Sequence, residues 1–252
     1  MRARVIPLIL LKDGGLVKTI KFDNPKYVGD PINAVRIFND KEVDELILLH
    51  ISPNRAKVPI PFKEVGDIAS EAFMPMGFGG GVHTLHDVYR ILHSGFEKVI
   101  LNTAIRTDKA FVRAAVREAG SQSIVGSIDV KKNFWGQYEV FTDSGQIRAG
   151  SSPVEYARMV EDLGVGEIIV NAIDRDGTFQ GYDEKLIAMV ADAVQIPVVA
   201  CGGARGVDDF ASAIKCGASA VAAGSYFVFY GKHRAVLINY PSSSQLDSAL
   251  TI

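Results

Sequence analysis

Short apolar runs alternate with amphipathic stretches along the chain. Eight runs stand out, at residues 5–11, 45–51, 74–78, 98–102, 124–129, 167–171, 197–200 and 220–223. They lack a strict in–out alternation, which is the pattern of strands covered on both faces. Between them lie helical patterns such as PINAVRIFNDK, PVEYARMVEDLG, YDEKLIAMVADAV and GVDDFASAIKCG. Pro31 and Pro153 sit where a first helical turn tolerates proline, and Gly164 and Gly217 where a helix stops. Eight β-then-α units predict a (β/α)8 barrel, residues 1–252 forming one domain. An open doubly wound sheet is the other arrangement with this alternation.

An internal repeat argues for the barrel. A shift of 122 residues lays GGVHTLHDVYRILHSGFEKVILNT, from Gly80, over GGARGVDDFASAIKCGASAVAAGS, from Gly202. Gly81 meets Gly203, Asp87 meets Asp209, Gly95 meets Gly217 and Thr103 meets Ser225, without a gap. Glu45 meets Glu167 at the same offset. The chain reads as two related half-barrels. Two stretches break the rhythm, residues 14–30 and 130–150, and both read as long loops or hairpins after strand C-termini. That end of a barrel carries active sites, and long loops there are often lids.

Composition narrows the picture further. The 252 residues are 48% hydrophobic and carry a net charge of -2 with both signs dispersed, so neither a nucleic acid nor an acidic or basic tail is implied. The opening MRAR followed by apolar residues reads as a buried strand rather than a signal peptide, because Lys12 and Asp13 follow at once. No segment is long and apolar enough for a membrane span. Cys201 and Cys216 have no metal or redox spacing and read as reduced thiols of a cytoplasmic protein. His83, His86, His93 and His233 have no ligand partners in sequence. No metal or cofactor site is expected.

Chemistry is suggested at the strand ends. GFGGGV after strand three and ACGGA after strand seven let backbone N–H groups approach an anion. The following strand ends add Asn102 and Thr103, and Gly224 and Ser225. Because the device appears once per half, two phosphates on opposite sides are expected, as in an elongated bisphosphate. The glycines alone could instead serve tight turns. In NAIDRDGTFQGYD, Asp174, Asp176 and Gly177 either present a carboxylate and N–H groups to the mouth or form an Asp-Gly turn, with Asp183 as a helix cap. Asp129 closes strand five and is read as a general acid or base, or as a structural carboxylate. His50, ending strand two, is open to either a ligand or a packing role.

Together these motifs resemble the HisF family, the cyclase subunit of imidazole glycerol phosphate synthase. KDGGLVKTIKF, DELILL, FGGGV, LNTA, SIDVKK, NAIDRDGT, ACGGA and AAGS fall in the family's order and spacing across nearly the whole chain. The resemblance implies a barrel that takes ammonia from a HisH-like glutaminase docked at its bottom and delivers it to a phosphorylated small molecule at its top. It implies phosphate sites at Gly81, Asn102 and Thr103, and at Asp176, Gly177, Gly203, Gly224 and Ser225. It implies an ammonia gate of Arg4, Glu45, Lys98 and Glu167. Each of the four begins or precedes a strand; the plain reading is a stabilising cluster of ion pairs.

The resemblance also exposes a departure. The family uses two aspartates as acid and base. Asp129 is one; the other position holds Leu10. Losing a general acid or base costs about 10²–10⁴ in rate, roughly 3–5 kcal/mol of barrier. His50 stands where the family usually has aspartate, whereas Asp13 keeps a family aspartate in the loop. ILLKDGGLVKTIKF, PKYVGDPINA and FVFYGKHRAVLINYP resemble a branch associated with surface-polysaccharide genes, which converts acetamido to acetamidino sugars beside an ATP-dependent amidotransferase. The expected role is therefore ammonia channelling for such a system. Ring closure in histidine biosynthesis and a non-catalytic scaffold are the alternatives. A related sugar-phosphate isomerase shares the repeat but also needs paired acids. The C-terminal GKHRAVLINYPSSSQLDSALTI reads as a last helix or a docking strip.

Overall fold

A computed structural model describes residues 2–51 and 58–250. Eight parallel strands run in chain order: β1 (Arg4–Lys12), β2 (Leu46–His50), β3 (Met76–Gly79), β4 (Lys98–Leu101), β5 (Ile124–Lys132), β6 (Glu167–Ala172), β7 (Val198–Cys201) and β8 (Ala220–Ala223). Each pairs with the next, and β8 returns to β1 with Arg4 opposite Ala220. The ring is closed, as the repeat required, and the open sheet is excluded. Helices follow every strand, including Pro31–Asp40, Pro153–Asp162, Glu184–Ala191 and Val207–Lys215.

The missing alternation in the apolar runs has a direct cause. Ile6, Leu8, Ile47, Ile100, Val125, Ile169 and Val199 form a cluster inside the barrel. Their strand neighbours, such as Val5, Ile9, Leu46, Leu48 and Ile168, join the larger cluster between strands and helices. Both faces are therefore apolar. The two half-barrels also repeat a physical device. Asp87 accepts from the backbone N–H of Thr84 at 3.0 Å, and Asp209 from that of Arg205 at 2.9 Å, each fixing the turn that opens its helix.

Both predicted long loops are hairpins on the C-terminal side of the barrel. β1 folds back at Lys12 onto a strand Gly15–Ile20, which pairs with Asp23–Gly29. β5 folds back onto Tyr138–Thr142. The C-terminal stretch forms a small hairpin, Phe229–Tyr230 with Ala235–Val236, then a helix Ser243–Leu250. Leu246 and Leu250 are buried, and the Tyr240 hydroxyl donates to the Val5 carbonyl at 2.8 Å. That helix packs one face on the barrel, while residues 231–237 before it are exposed. No helix of the described residues is long and apolar enough to cross a membrane.

Candidate functional site

A cavity of about 420 Å³ opens at the C-terminal mouth of the barrel. All eight residues read as phosphate ligands line it: Gly81, Asn102, Thr103, Asp176, Gly177, Gly203, Gly224 and Ser225. Asp129 and Leu10 line it too. The glycine pairs adopt the same unusual backbone in each half, with φ of 109° and 81° at Gly80 and Gly81, and 93° and 109° at Gly202 and Gly203. At three of these positions space forbids a side chain as well. A Cβ would fall 2.1 Å from the His50 carbonyl oxygen at Gly80, 2.7 Å from that of Ala172 at Gly202 and 2.3 Å from that of Gly181 at Gly203. The glycines thus make tight turns and leave backbone bare at the cavity wall. The tight turn and the bare backbone are one structure here.

The two acid positions face each other across the mouth. Asp129 is the last inward residue of β5 and is buried. The Asn102 side-chain amide donates to Asp129 Oδ2 at 3.1 Å and to the Ser127 carbonyl at 3.0 Å, so Asn102 is fastened beside the carboxylate. Leu10 points inward from β1 and packs on the inner cluster beside Leu49, its register partner's side. Asp13 is exposed in the hairpin turn and lines no part of the cavity. No other carboxylate on β1 replaces the one absent at Leu10.

The first hairpin brings in a residue that the motif survey passed over. Lys18 is 5% exposed, lines the cavity, and its ammonium donates to the Leu8 carbonyl. Burial pushes its pKa down to about 8, against the pull of Asp176. Burial pushes Asp176 up, while Lys18 and the Thr19 hydroxyl, which donates to Asp176 Oδ2 at 3.1 Å, hold it down in part. A Cβ at Gly177 would fall 2.3 Å from the Thr19 carbonyl oxygen, so the Asp176–Gly177 turn and the hairpin interlock. The signal was present: a lysine inside the apolar run GLVKTI belongs to a strand with no exposed face for it.

The remaining candidates separate cleanly. Asp174 accepts from the Lys132 backbone N–H at 2.7 Å and braces the second hairpin. Asp183 caps the helix Glu184–Ala191 and pairs with Lys132 at 2.9 Å; that pairing and the Tyr138 hydroxyl hold its carboxyl below the usual range against burial. His50 is buried but does not line the cavity, because β2 turns Ile47 and Leu49 inward. His83 does reach the rim, with Nδ1 2.7 Å from the Gly81 carbonyl oxygen. No group of three His, Cys, Asp or Glu among the described residues is placed to hold a metal ion.

At the opposite end, four charged residues close the barrel. Arg4 bridges Glu45 and Glu167. Lys98 bridges the same two carboxylates, at 3.0 Å and 2.9 Å. Glu45 and Glu167 are buried. Each acid meets two bases and each base two acids, so the ring is neutral and complete. Above it the interior is apolar up to the mouth.

The match to known proteins covers both ends of this barrel. A family model described as histidine biosynthesis protein matches residues 4–234. The chain is 40% identical over 231 residues to the imidazole glycerol phosphate synthase subunit HisF of Thermococcus onnurineus, covering 91% of this chain and 90% of that one. The chain belongs to the HisF family. A HisF-family protein of Pseudomonas aeruginosa, named "Putative imidazole glycerol phosphate synthase subunit hisF2", is 52% identical over 249 residues, 98% of this chain and 99% of its own. The HisF subunit of Alkaliphilus metalliredigens is 38% identical over 225 residues. The HisF resemblance therefore spans the whole barrel rather than its motifs alone.

Proposed function

We propose that this HisF-type barrel receives ammonia at its N-terminal face from a glutaminase subunit and carries it through the core to a phosphorylated ligand at the mouth. The charged ring of Arg4, Glu45, Lys98 and Glu167 is the observation that carries this reading. It plugs the bottom with ion pairs that can exchange partners, beneath an apolar interior. Such an interior passes neutral ammonia at far lower cost than ammonium. The inward face of β3 holds no side chain at Gly77, whose Cβ would lie 3.2 Å from Ile100 Cδ1.

Ring closure to an imidazole needs an acid and a base on opposite sides of the ligand. Leu10 opposite Asp129 supports delivery of ammonia without ring closure. The finer role we assign is the conversion of acetamido to acetamidino groups on surface-polysaccharide sugars, in the cytoplasm, with an ATP-dependent amidotransferase as third partner. The free thiols Cys201 and Cys216 suit a reducing compartment. A second reading, ring closure in histidine biosynthesis, is favoured by the names of the relatives. Purified protein given the synthase's bisphosphate substrate and excess ammonium salt separates the two. No turnover is expected; robust turnover makes the chain a histidine-pathway cyclase with a rewired acid.

The anion cradles make a separate prediction. A bound dianion favours the charged form of Lys18, whose proton leaves at a pH of about 8. Sulfate keeps its charge across that range. Its affinity, measured by calorimetry, should fall as pH rises through about 8, and Lys18→Met should bind more weakly with a flat profile. A flat wild-type profile removes Lys18 from the anion site.

A further inference from the structure

The floor of the cavity is chemically divided. Its β1 and β2 side is Leu8, Leu10 and Leu49; its β5 and β6 side adds the polar Ser127, Asp129 and Asn171 to Ile169. Asn171 carries the anomaly. It is 8% exposed, it lines the cavity, and its Oδ1 accepts no hydrogen bond. A buried acceptor left unpaired is costly, and native folds rarely keep one without a purpose.

None of the described residues donates a hydrogen bond to it. Its register partners are Asp129 and Cys201. The Cys201 thiol is pushed up by burial and stays a weak donor. Gly202 keeps the space beside Oδ1 open, since a Cβ there would fall 2.7 Å from it. Asn171 also ends a particular column. Along the inner face of β6 the residues are Glu167, Ile169 and Asn171, leading from the charged ring through the apolar tier to the mouth.

We propose that Asn171 receives ammonia where it leaves the barrel core. This rests on the ammonia-carrying reading above and names the group that completes it. Oδ1 accepts one N–H, and the nitrogen lone pair is left to face the ligand between the cradles. A carboxamide suits the task because it is neutral. It binds N–H without drawing a further proton onto the nitrogen, whereas a carboxylate at this place would favour ammonium, which has no lone pair to react.

The test uses the full chain with isotope-labelled asparagine. The side-chain amide resonance of Asn171 is assigned by its disappearance in N171L, or in the isosteric N171D should N171L fail to fold. Ammonium chloride is titrated in at mildly alkaline pH, with potassium chloride as a cation of similar size that has no N–H. A saturable shift of this one resonance with the ammonium salt alone is expected. A resonance that stays still, or that moves equally with potassium, overturns the proposal. The underlying reading is scored separately, by glutaminase-fed flux when the ring residues are scrambled. Ring-dependent flux with a silent resonance removes only Asn171. A responsive resonance with ring-independent flux keeps Asn171 as an ammonia site filled from the mouth.

Discussion

Leu10→Asp is expected to raise ammonium-driven cyclase turnover by about 10²-fold or more over a wild-type background near zero, the ordinary contribution of one general acid or base. The argument is geometric. Leu10 and Asp129 project from strands on opposite sides of one cavity, which Lys18 and both glycine cradles also line. Asp129 already has Asn102 fastened to its Oδ2. An aspartate at position 10 fits within the volume of leucine and faces the open cavity rather than the closed core. The neighbouring Lys18 ammonium offsets part of the cost of placing a charge beside Leu8 and Leu49. The variant restores one functional group and leaves the rest of the site as it is. Sulfate binding and the melting temperature, measured on the same sample, show whether fold and cradles survive. A folded, anion-binding variant without any gain in turnover means that more than one residue separates this site from a ring-closing one.

The parts of the molecule that were legible in the sequence share a cause. Glycine pairs at 80–81 and 202–203 are dictated by backbone geometry, so a shift of the sequence against itself exposes them, and the structure gives both pairs positive φ. The four ring residues sit at strand starts and become neighbours only when the sheet closes. Their partnership, with Arg4 and Glu167 far apart in sequence, came from the family resemblance rather than from spacing. The parts that were not legible depend on which way a strand faces. His50 and Asn171 both end strands, and strand position alone left His50 open and Asn171 unremarked. The period of two sends Leu49 and Asn171 inward and His50 outward. With both faces of the sheet apolar, no hydrophobic pattern revealed that phase. Lys18 was hidden differently. Only the hairpin register, Leu10 opposite Val17, returns it over the mouth. Asp174 and Asp176 are two residues apart, yet one braces a hairpin and the other meets the ligand cavity.

Lys98→Met should destabilise the barrel by about 3 kcal/mol, the scale for breaking a buried ion pair by removing one partner. For a domain of this size that lowers the melting temperature by roughly 6–12 °C. Lys98 holds Glu45 at 3.0 Å and Glu167 at 2.9 Å. Without it two buried carboxylates share Arg4 alone. A double variant, Lys98→Met with Glu167→Gln, removes one charge of each sign and leaves Arg4 with Glu45. It should lose clearly less than the sum of the two single losses, since the three residues share one network. Calorimetry of the three variants decides the matter; additive losses would mean that the ring is four independent contacts. Coupling bears on function because stability alone gives no reason for ions here. A buried ion-pair network can be replaced by apolar side chains of similar volume without loss. An apolar plug, however, is close-packed and fixed, whereas paired charges of equal number can part, exchange partners and close again. If the ring acts as one coupled unit, opening at Lys98 is felt at both acids together, which is what a gate beneath an apolar passage requires.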